Sequence, residues 1–262
     1  MKRVKIDEIN LNYIDSGTGK PIVFLHGFPM NHTMWESQIE HYCHKYRVIA
    51  PDLRGFGKSD VTPQTVTMQQ FAEDLSKFLK ALSISEPVIL CGFSMGGYIA
   101  WQFAKQYPKA LAQLILCDTK ATADTQAAAA GREQTAQRVL KEGPTFLAET
   151  MSAKLFSETT RNEFPDVITR VKQMIQETSP EGIAAALRGM ASRPDMTSFL
   201  PEISAPTLLV CGDEDLLTTP REMRSVADAI PNASFALIKE AGHMAPMEMP
   251  ELVNAAIDRF LE

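Results

Sequence analysis

The sequence predicts an α/β protein built on one mostly parallel sheet with helices on both faces. Short apolar segments alternate with amphipathic segments through most of the chain, which is typical of parallel strands joined by helices. Between residues 87 and 106, a strand, a glycine-rich turn and a helix follow one another directly. The segment 120–200 lacks β-branched runs and indicates helices alone. We therefore expect eight strands, with a helical insertion after the sixth.

The expected strands are short apolar runs bounded by turn residues. The first two form a hairpin within residues 4–14, and the others lie at 21–25, 47–50, 88–91, 111–117, 207–210 and 234–238. Outside the insertion, helices are expected at 33–44, 67–82, 98–106, 220–230 and 250–261. Four more are expected inside it, at 125–140, 144–155, 166–177 and 180–190. Residues 1–119 and 201–262 are thus predicted to form a core domain, and residues 120–200 a helical cap over the edge where such sheets bind ligands.

Composition narrows the possible partners. A chain of 262 residues that is 45% hydrophobic can bury one large core. The net charge of −6 and the lack of a dense Lys/Arg block argue against nucleic acid as a partner. No apolar run approaches the roughly 20 residues that span a bilayer, and the first residues do not resemble a signal peptide. We expect a cytoplasmic protein that acts on a small molecule without a membrane partner.

The cysteines do not indicate a metal site. Cys91, Cys117 and Cys211 each end an apolar run, so we expect small buried hydrophobes on neighbouring strands in a reducing compartment. A thiol cluster that binds metal or oxidises is the less favoured interpretation, because the chain has no C-x-x-C pair. The His/Cys group at 41–44 is better explained as a helix face than as a zinc site. Neither a metal nor another cofactor is expected.

The turn Gly92-Phe93-Ser94-Met95-Gly96 fits the pattern of a nucleophile elbow, because it joins a strand to a helix. Such a turn lifts the serine hydroxyl clear of the backbone and directs a helix N-terminus at it. The alternative is a glycine-rich turn without chemistry, and the motif alone does not decide between the two.

A serine hydroxyl needs a base, and the base needs an orienting carboxylate. His243 follows the last strand beside a glycine and would reach the same sheet edge as Ser94, whereas His26 lies before the elbow. Three carboxylates follow strands. Asp215 lies furthest along its loop and can turn back toward a histidine, Asp213 is more typical of a turn or helix cap, and Asp118 remains an alternative.

Five motifs occur in the order found in the α/β-hydrolase superfamily, which the chain resembles over essentially its whole length. They are His26-Gly27-Phe28, Asp52-Leu53-Arg54-Gly55-Phe56-Gly57-Lys58-Ser59, Gly92-Phe93-Ser94-Met95-Gly96-Gly97, Gly212-Asp213-Glu214-Asp215 and Gly242-His243. The resemblance implies Ser94 as nucleophile, His243 as general base and then acid, and Asp215 as the orienting carboxylate. It also implies an oxyanion hole formed by the backbone N–H groups of Phe28 and Met95. Relatives that form an ester with substrate carbon carry aspartate at the elbow, so Ser94 implies an acyl-enzyme.

The resemblance implies a serine hydrolase acting on a small carboxylic ester or lactone. The start of the cap, Cys117-Asp118-Thr119-Lys120-Ala121, is similar to 3-oxoadipate enol-lactonases. A cofactor-free perhydrolase or haloperoxidase, a C–C bond hydrolase and a slow-turnover small-molecule receptor of the same fold remain alternatives.

An apolar substrate pocket is predicted from residues beside these motifs and in the cap. The candidates to line it are Met30, Met151, Phe156, Met190, Leu216 and Met244. No arginine adjoins the three candidate catalytic residues in sequence, so an anionic substrate is not indicated. The cap arginines that could supply a binding group for one are Arg132, Arg138 and Arg188.

Overall fold

A computed structural model describes residues 1–262 and contains one eight-stranded sheet. The strands lie in the order β1-β2-β4-β3-β5-β6-β7-β8. All neighbouring pairs are parallel except β1 with β2 and β2 with β4, so β2 runs opposite to the other strands. The strands are β1 Lys2–Ile6, β2 Ile9–Ser16, β3 Pro21–Leu25, β4 Arg47–Pro51, β5 Val88–Phe93, β6 Leu111–Cys117, β7 Thr207–Gly212 and β8 Ala233–Ile238. The α/β class and the mostly parallel eight-stranded sheet are thereby confirmed.

Strands β3, β5 and β7 are buried along their entire length, as expected of a parallel sheet covered on both faces. Five helices pack around it, and a further short one follows β8. These are α1 Glu36–Tyr42, α2 Met68–Ala81, α3 Met95–Gln106, α9 Pro220–Asp228, α10 Ala245–Glu248 and α11 Pro250–Leu261. The three strand-end thiols, Cys91, Cys117 and Cys211, are free and buried in this core.

Five helices lie between β6 and β7, so the chain leaves the sheet where the helical insertion was expected. They are α4 Gln126–Glu142, α5 Thr145–Leu155, α6 Glu158–Glu163, α7 Pro165–Glu177 and α8 Pro180–Ala191. Two of them, α4 and α8, pack along each other. No helix anywhere in the chain is both long and apolar enough to cross a bilayer.

The structure differs from the sequence expectation mainly in short helices. Residues 33–44 do not form one helix, because a 3₁₀ turn over His32–Trp35 precedes α1. That turn is fixed by Asn31, whose Oδ1 accepts a hydrogen bond from Thr33 N at 2.9 Å. Helices α6 and α10, of six and four residues, were not predicted, since neither is long enough to display a 3.6-residue period.

Candidate active site

Ser94 lies at the junction of β5 and α3, at the carboxyl edge of the sheet. Its amide donates to Cys117 O at 2.9 Å, and its own carbonyl accepts a hydrogen bond from Thr119 Oγ1 at 2.8 Å. Its backbone φ angle is 50°, a conformation that is uncommon for residues other than glycine. The turn thus holds the serine in a strained geometry, anchored on both sides by β6 and the loop after it.

The glycines of this turn are required by close backbone approach. A Cβ atom on Gly92 would lie 2.4 Å from Gly96 O, and one on Gly96 would lie 2.4 Å from Leu25 O. Neither backbone oxygen can move without disturbing β3 or α3. The sequence pattern therefore follows from packing around the serine.

His243 and Asp215 meet Ser94 from two other loops. His243 Nε2 lies 3.0 Å from Ser94 Oγ, and His243 Nδ1 lies 2.8 Å from Asp215 Oδ2. The histidine is 4% exposed and Asp215 is 1% exposed. This chain of contacts can transfer the serine proton to the imidazole while the carboxylate balances the resulting charge.

Asp215 is held ionised by its own loop. Its Oδ1 accepts hydrogen bonds from Leu217 N at 2.7 Å and Thr218 N at 3.0 Å, and Oδ2 also accepts one from the Thr218 hydroxyl. Burial by itself would raise the pKa of Asp215, but the charge and hydrogen bond of His243 and the Thr218 donors outweigh it and lower the pKa to about 2. Thr218 was not identified from the sequence, because nothing in its neighbours marks a residue that supports a carboxylate.

The two other candidate carboxylates do not contact His243. Asp118 is fully buried, and its Oδ1 accepts a hydrogen bond from Gly212 N at 2.8 Å. Burial, together with the nearby charge of Asp215, raises the pKa of Asp118 well above its usual range. Asp213 lies 3.2 Å from Lys239 Nζ and caps no helix, since Thr219 caps α9.

The predicted oxyanion donors are positioned with free N–H groups. Met95 begins α3, directly after the serine, and Phe28 lies in the loop after β3. Neither amide donates to a protein acceptor. Both residues flank the serine turn, so the two N–H groups are available for a developing negative charge.

His26 stabilises the loop that contains Phe28 and makes no hydrogen bond to Ser94. Its Nδ1 lies 2.9 Å from Gly27 O, and its Nε2 accepts a hydrogen bond from Leu53 N at 3.0 Å. Burial lowers the pKa of His26 to about 4. Because Nε2 accepts a hydrogen bond, it carries no proton, and these contacts therefore require the neutral ring with its proton on Nδ1.

The loop of His243 is held by the helical insertion. His243 N donates to Leu155 O at 2.8 Å, at the end of α5. Glu248, from α10, accepts hydrogen bonds from Gly242 N at 2.9 Å and Met244 N at 3.0 Å through Oε1, and its Oε2 accepts one from Ser157 N at 2.8 Å. This buried carboxylate joins both sides of the histidine to the insertion, and its role was not predicted from the sequence.

A cavity of about 310 Å³ opens above Ser94 and His243. It lies between the core and the insertion, and its size suits a small organic ligand. Its other lining residues are Phe28, Tyr98, Lys120, Asp124, Arg132, Met151, Leu155, Met190, Arg193, Leu217 and Thr218.

Two of the six predicted lining residues, Met151 and Met190, line this cavity. The other four do not, for reasons of packing. Met30, Phe156 and Met244 are buried in the hydrophobic core, and Leu216 is 76% exposed and lines a separate surface pocket. Of the three cap arginines, Arg132 lines the cavity, whereas Arg138 pairs with Glu142 and Arg188 pairs with Glu133.

The sheet order, the helices on both faces and the serine at a strand-to-helix turn define a protein of the α/β-hydrolase class. The family model described as "alpha/beta hydrolase fold" matches residues 20–250, and the chain therefore belongs to that family. It is a hydrolase in its general class.

Relatives and solved structures agree with this membership. An esterase from Thermogutta terrifontis, determined with malate bound, is 46% identical with a TM-score of 0.98, and the match covers 100% of this chain and 98% of that one. The 3-oxoadipate enol-lactonase 2 of Acinetobacter baylyi is 28% identical over 97% of this chain and 94% of its own. A bromoperoxidase from Bacillus anthracis is 27% identical, with a TM-score of 0.87 and 99% of both chains covered.

Proposed function

We propose that the protein is a serine hydrolase that cleaves a small carboxylic ester or lactone through an acyl-enzyme. The observation that carries the proposal is the linked pair of contacts at 3.0 Å and 2.8 Å that joins Ser94 Oγ to His243 and His243 to Asp215. The similarity to an esterase and an enol-lactonase supports the ester or lactone class of bond.

In the first half-reaction, Ser94 Oγ attacks the carbonyl carbon while His243 Nε2 takes the hydroxyl proton. The carbonyl oxygen becomes an oxyanion and receives hydrogen bonds from the Phe28 and Met95 N–H groups. The tetrahedral intermediate then breaks its bond to the alcohol oxygen, which leaves with the proton from His243. The products of this half are an acyl ester on Ser94 and an alcohol, which is released from an ester but stays part of the acyl group when the substrate is a lactone.

In the second half-reaction, water attacks the acyl ester and gives a proton to His243. The intermediate expels Ser94 Oγ, which regains its proton from the imidazole, and the carboxylic acid leaves. Asp215 stays ionised throughout, since its low pKa keeps it a hydrogen-bond acceptor for Nδ1.

A perhydrolysis activity is a second candidate, favoured by the similarity to a bromoperoxidase. In that reaction hydrogen peroxide replaces water in the second half and the product is a peracid. The two activities share the acyl-enzyme, so the ratio of peracid to acid formed from one ester at fixed peroxide concentration measures which acceptor the site prefers.

The test of the proposed function is hydrolysis of p-nitrophenyl acetate by the wild type and by Ser94→Ala. Removal of the nucleophile is expected to lower kcat by about 10⁴-fold or more. Ser225→Ala, an exposed serine on α9, provides the matched control and is expected to retain wild-type turnover. Wild-type activity in Ser94→Ala would refute the assignment.

A further inference from the structure

The cavity above Ser94 has an uneven charge balance. Three cationic side chains line it, from Lys120, Arg132 and Arg193, and Asp124 is the single carboxylate among its lining residues. The lining therefore carries a surplus of two positive charges in a partly enclosed space, which favours an anionic ligand.

Asp124 is shared between both arginines. Its carboxylate accepts hydrogen bonds from Arg132 Nε, and from Arg193 Nη1 at 2.7 Å. The Arg193 guanidinium also stacks on Tyr98, with its central carbon 4.3 Å from the ring centroid. One carboxylate thus orders two guanidinium groups but balances the charge of only one.

Each arginine keeps a nitrogen without a strong acceptor. Arg132 Nη1 contacts only Met190 Sδ, at 3.6 Å, and a thioether is a weak acceptor. Arg193 Nη2 donates to no acceptor in the protein. These donors are pre-ordered by Asp124 and Tyr98, so a ligand that accepts from them loses little side-chain entropy in the protein.

Lys120 adds a third, more mobile donor. Its Nζ lies 3.4 Å from Glu222 Oε1, and both side chains are partly exposed, so the pair is loose. The Lys120 backbone is fixed, because its carbonyl accepts a hydrogen bond from Trp101 Nε1 at 3.0 Å. The ammonium can therefore turn toward a ligand in the cavity without a change in the backbone.

Other arginines of the insertion contrast with this arrangement. Arg188 donates to both oxygens of Glu133 at 2.9 Å and 3.0 Å, and Arg138 donates to Glu142 at 2.7 Å. Each of these guanidinium groups has a carboxylate of its own. A role limited to holding the insertion together does not account for the surplus of charge at the cavity.

We infer that the substrate carries a free carboxylate, which binds to Arg132, Arg193 and Lys120 while its ester or lactone carbonyl lies at Ser94. The inference rests on the proposed function. A carboxylate matches the forked donors of guanidinium groups, and the remaining walls of the cavity, which include Met151 and Leu155, suit a short carbon chain between the two groups. The carboxylate takes no part in bond breaking and serves to orient the carbonyl.

Two matched substrate pairs test this specificity and show on which side the carboxylate lies. Monomethyl glutarate, compared with its neutral amide methyl glutaramate, carries the carboxylate on the acyl side. Acetoxyacetate, compared with acetoxyacetamide, carries it on the alcohol side. In at least one pair, wild-type kcat/KM is expected to be about tenfold or more higher for the anion, as charge-assisted hydrogen bonds would give.

The variants Arg132→Gln and Lys120→Met are expected to lower that anion-to-amide ratio by about tenfold in the same pair. Arg138→Gln lies on the same helix as Arg132 but away from the cavity, and Lys109→Met removes an exposed lysine. Both controls are expected to keep the wild-type ratio, which excludes an effect of net charge alone.

Calorimetry measures the binding of each anion and of its amide to Ser94→Ala. This measurement separates the carboxylate site from the proposed hydrolase function. If Ser94→Ala binds the anion more tightly than the amide, and if adding Arg132→Gln removes this difference, the carboxylate site is supported whether or not Ser94 is the nucleophile. Equal kcat/KM for anion and amide in both pairs with the wild type would overturn the carboxylate site. An anion-to-amide ratio that stays unchanged in Arg132→Gln and Lys120→Met would overturn it as well. If the wild type hydrolyses the ester bond of the neutral amide-bearing substrates and Ser94→Ala does not, the proposed function stands independently of that result.

Discussion

The sheet edge and the helical insertion contribute to the cavity in different ways. At the sheet edge, Ser94, Asp215 and His243 are placed by backbone geometry: a strained turn, N–H donors to the carboxylate and a short loop after β8. In the insertion, Arg132 and Met190 reach the cavity from two separate helices. Changes at the edge should therefore affect the chemical step, whereas changes in the insertion should affect which substrate binds.

The largest effect is expected at the carboxylate beneath His243. Asp215→Asn should lower kcat by about 10⁴-fold, because the amide cannot balance the imidazolium and favours the wrong tautomer. Steady-state kinetics on p-nitrophenyl acetate measure the loss. Asp118→Asn is the comparison, since a buried carboxyl with a raised pKa is close in charge to an amide. A mild Asp215→Asn combined with a severe Asp118→Asn would place the functional carboxylate after β6 instead.

Prediction from sequence succeeded where packing requires a local pattern of residues. Glycines at 92 and 96 are required by backbone contacts near 2.4 Å, so the turn is visible in the sequence itself. The buried strands are visible for a similar reason, because parallel strands covered on both faces form continuous apolar runs.

The cavity lining was harder to predict, because it depends on side-chain direction. Met244 adjoins His243 in sequence but is fully buried beneath it, and Phe156 turns into the core after α5. Glu248 and Thr218 also contact loops distant in sequence, Glu248 at residue 157 and Thr218 at His243. No local period or motif marks contacts of that kind.

The next effect in size concerns the link between the edge and the insertion. Glu248→Ala leaves three hydrogen-bond donors without an acceptor, Gly242 N, Ser157 N and the Thr160 hydroxyl, whereas Met244 N keeps a longer hydrogen bond to Leu155 O at 3.3 Å. We expect the free energy of unfolding to fall by about 3 kcal/mol or more and kcat to fall with it, since buried unpaired donors are costly.

Denaturant unfolding and steady-state kinetics measure the two losses. Glu251→Ala, an exposed residue at the start of α11, is the control and should change neither quantity. Unchanged kcat in Glu248→Ala would show that the histidine loop keeps its position without this carboxylate.

A pH-dependent loss of stability is expected from His26. Its pKa is about 4 in the folded protein and near 6.5 when unfolded, because burial disfavours the charged ring. The unfolded state therefore binds the proton first as the pH falls, so stability is complete above pH 6.5 and declines toward pH 4. A shift of this size corresponds to about 3 kcal/mol.

Unfolding midpoints measured between those pH values test this decline. In His26→Gln the contribution of this residue to the slope should vanish, at the cost of lower stability at neutral pH. His41→Gln is the matched control, because His41 is an exposed histidine paired with Asp258. An identical slope in His26→Gln and the wild type would contradict the burial effect.

The smallest effect is expected in the apolar wall of the insertion. Met151→Ala enlarges the cavity without touching Ser94, so it should raise KM for short acyl esters by less than about tenfold and leave kcat nearly constant. Michaelis constants for p-nitrophenyl acetate and longer acyl chains give the comparison. A loss confined to kcat would indicate that this wall also affects the chemical step.

The central claim is that Ser94 is a nucleophile activated by His243, and covalent labelling tests it most directly. A fluorophosphonate reacts with an activated serine to give a stable adduct, which intact mass and peptide mapping locate. We predict one adduct per chain, on the peptide that contains Ser94, absent in Ser94→Ala and strongly slowed in His243→Gln. Labelling at another residue, or equal labelling of Ser94→Ala, would contradict the claim.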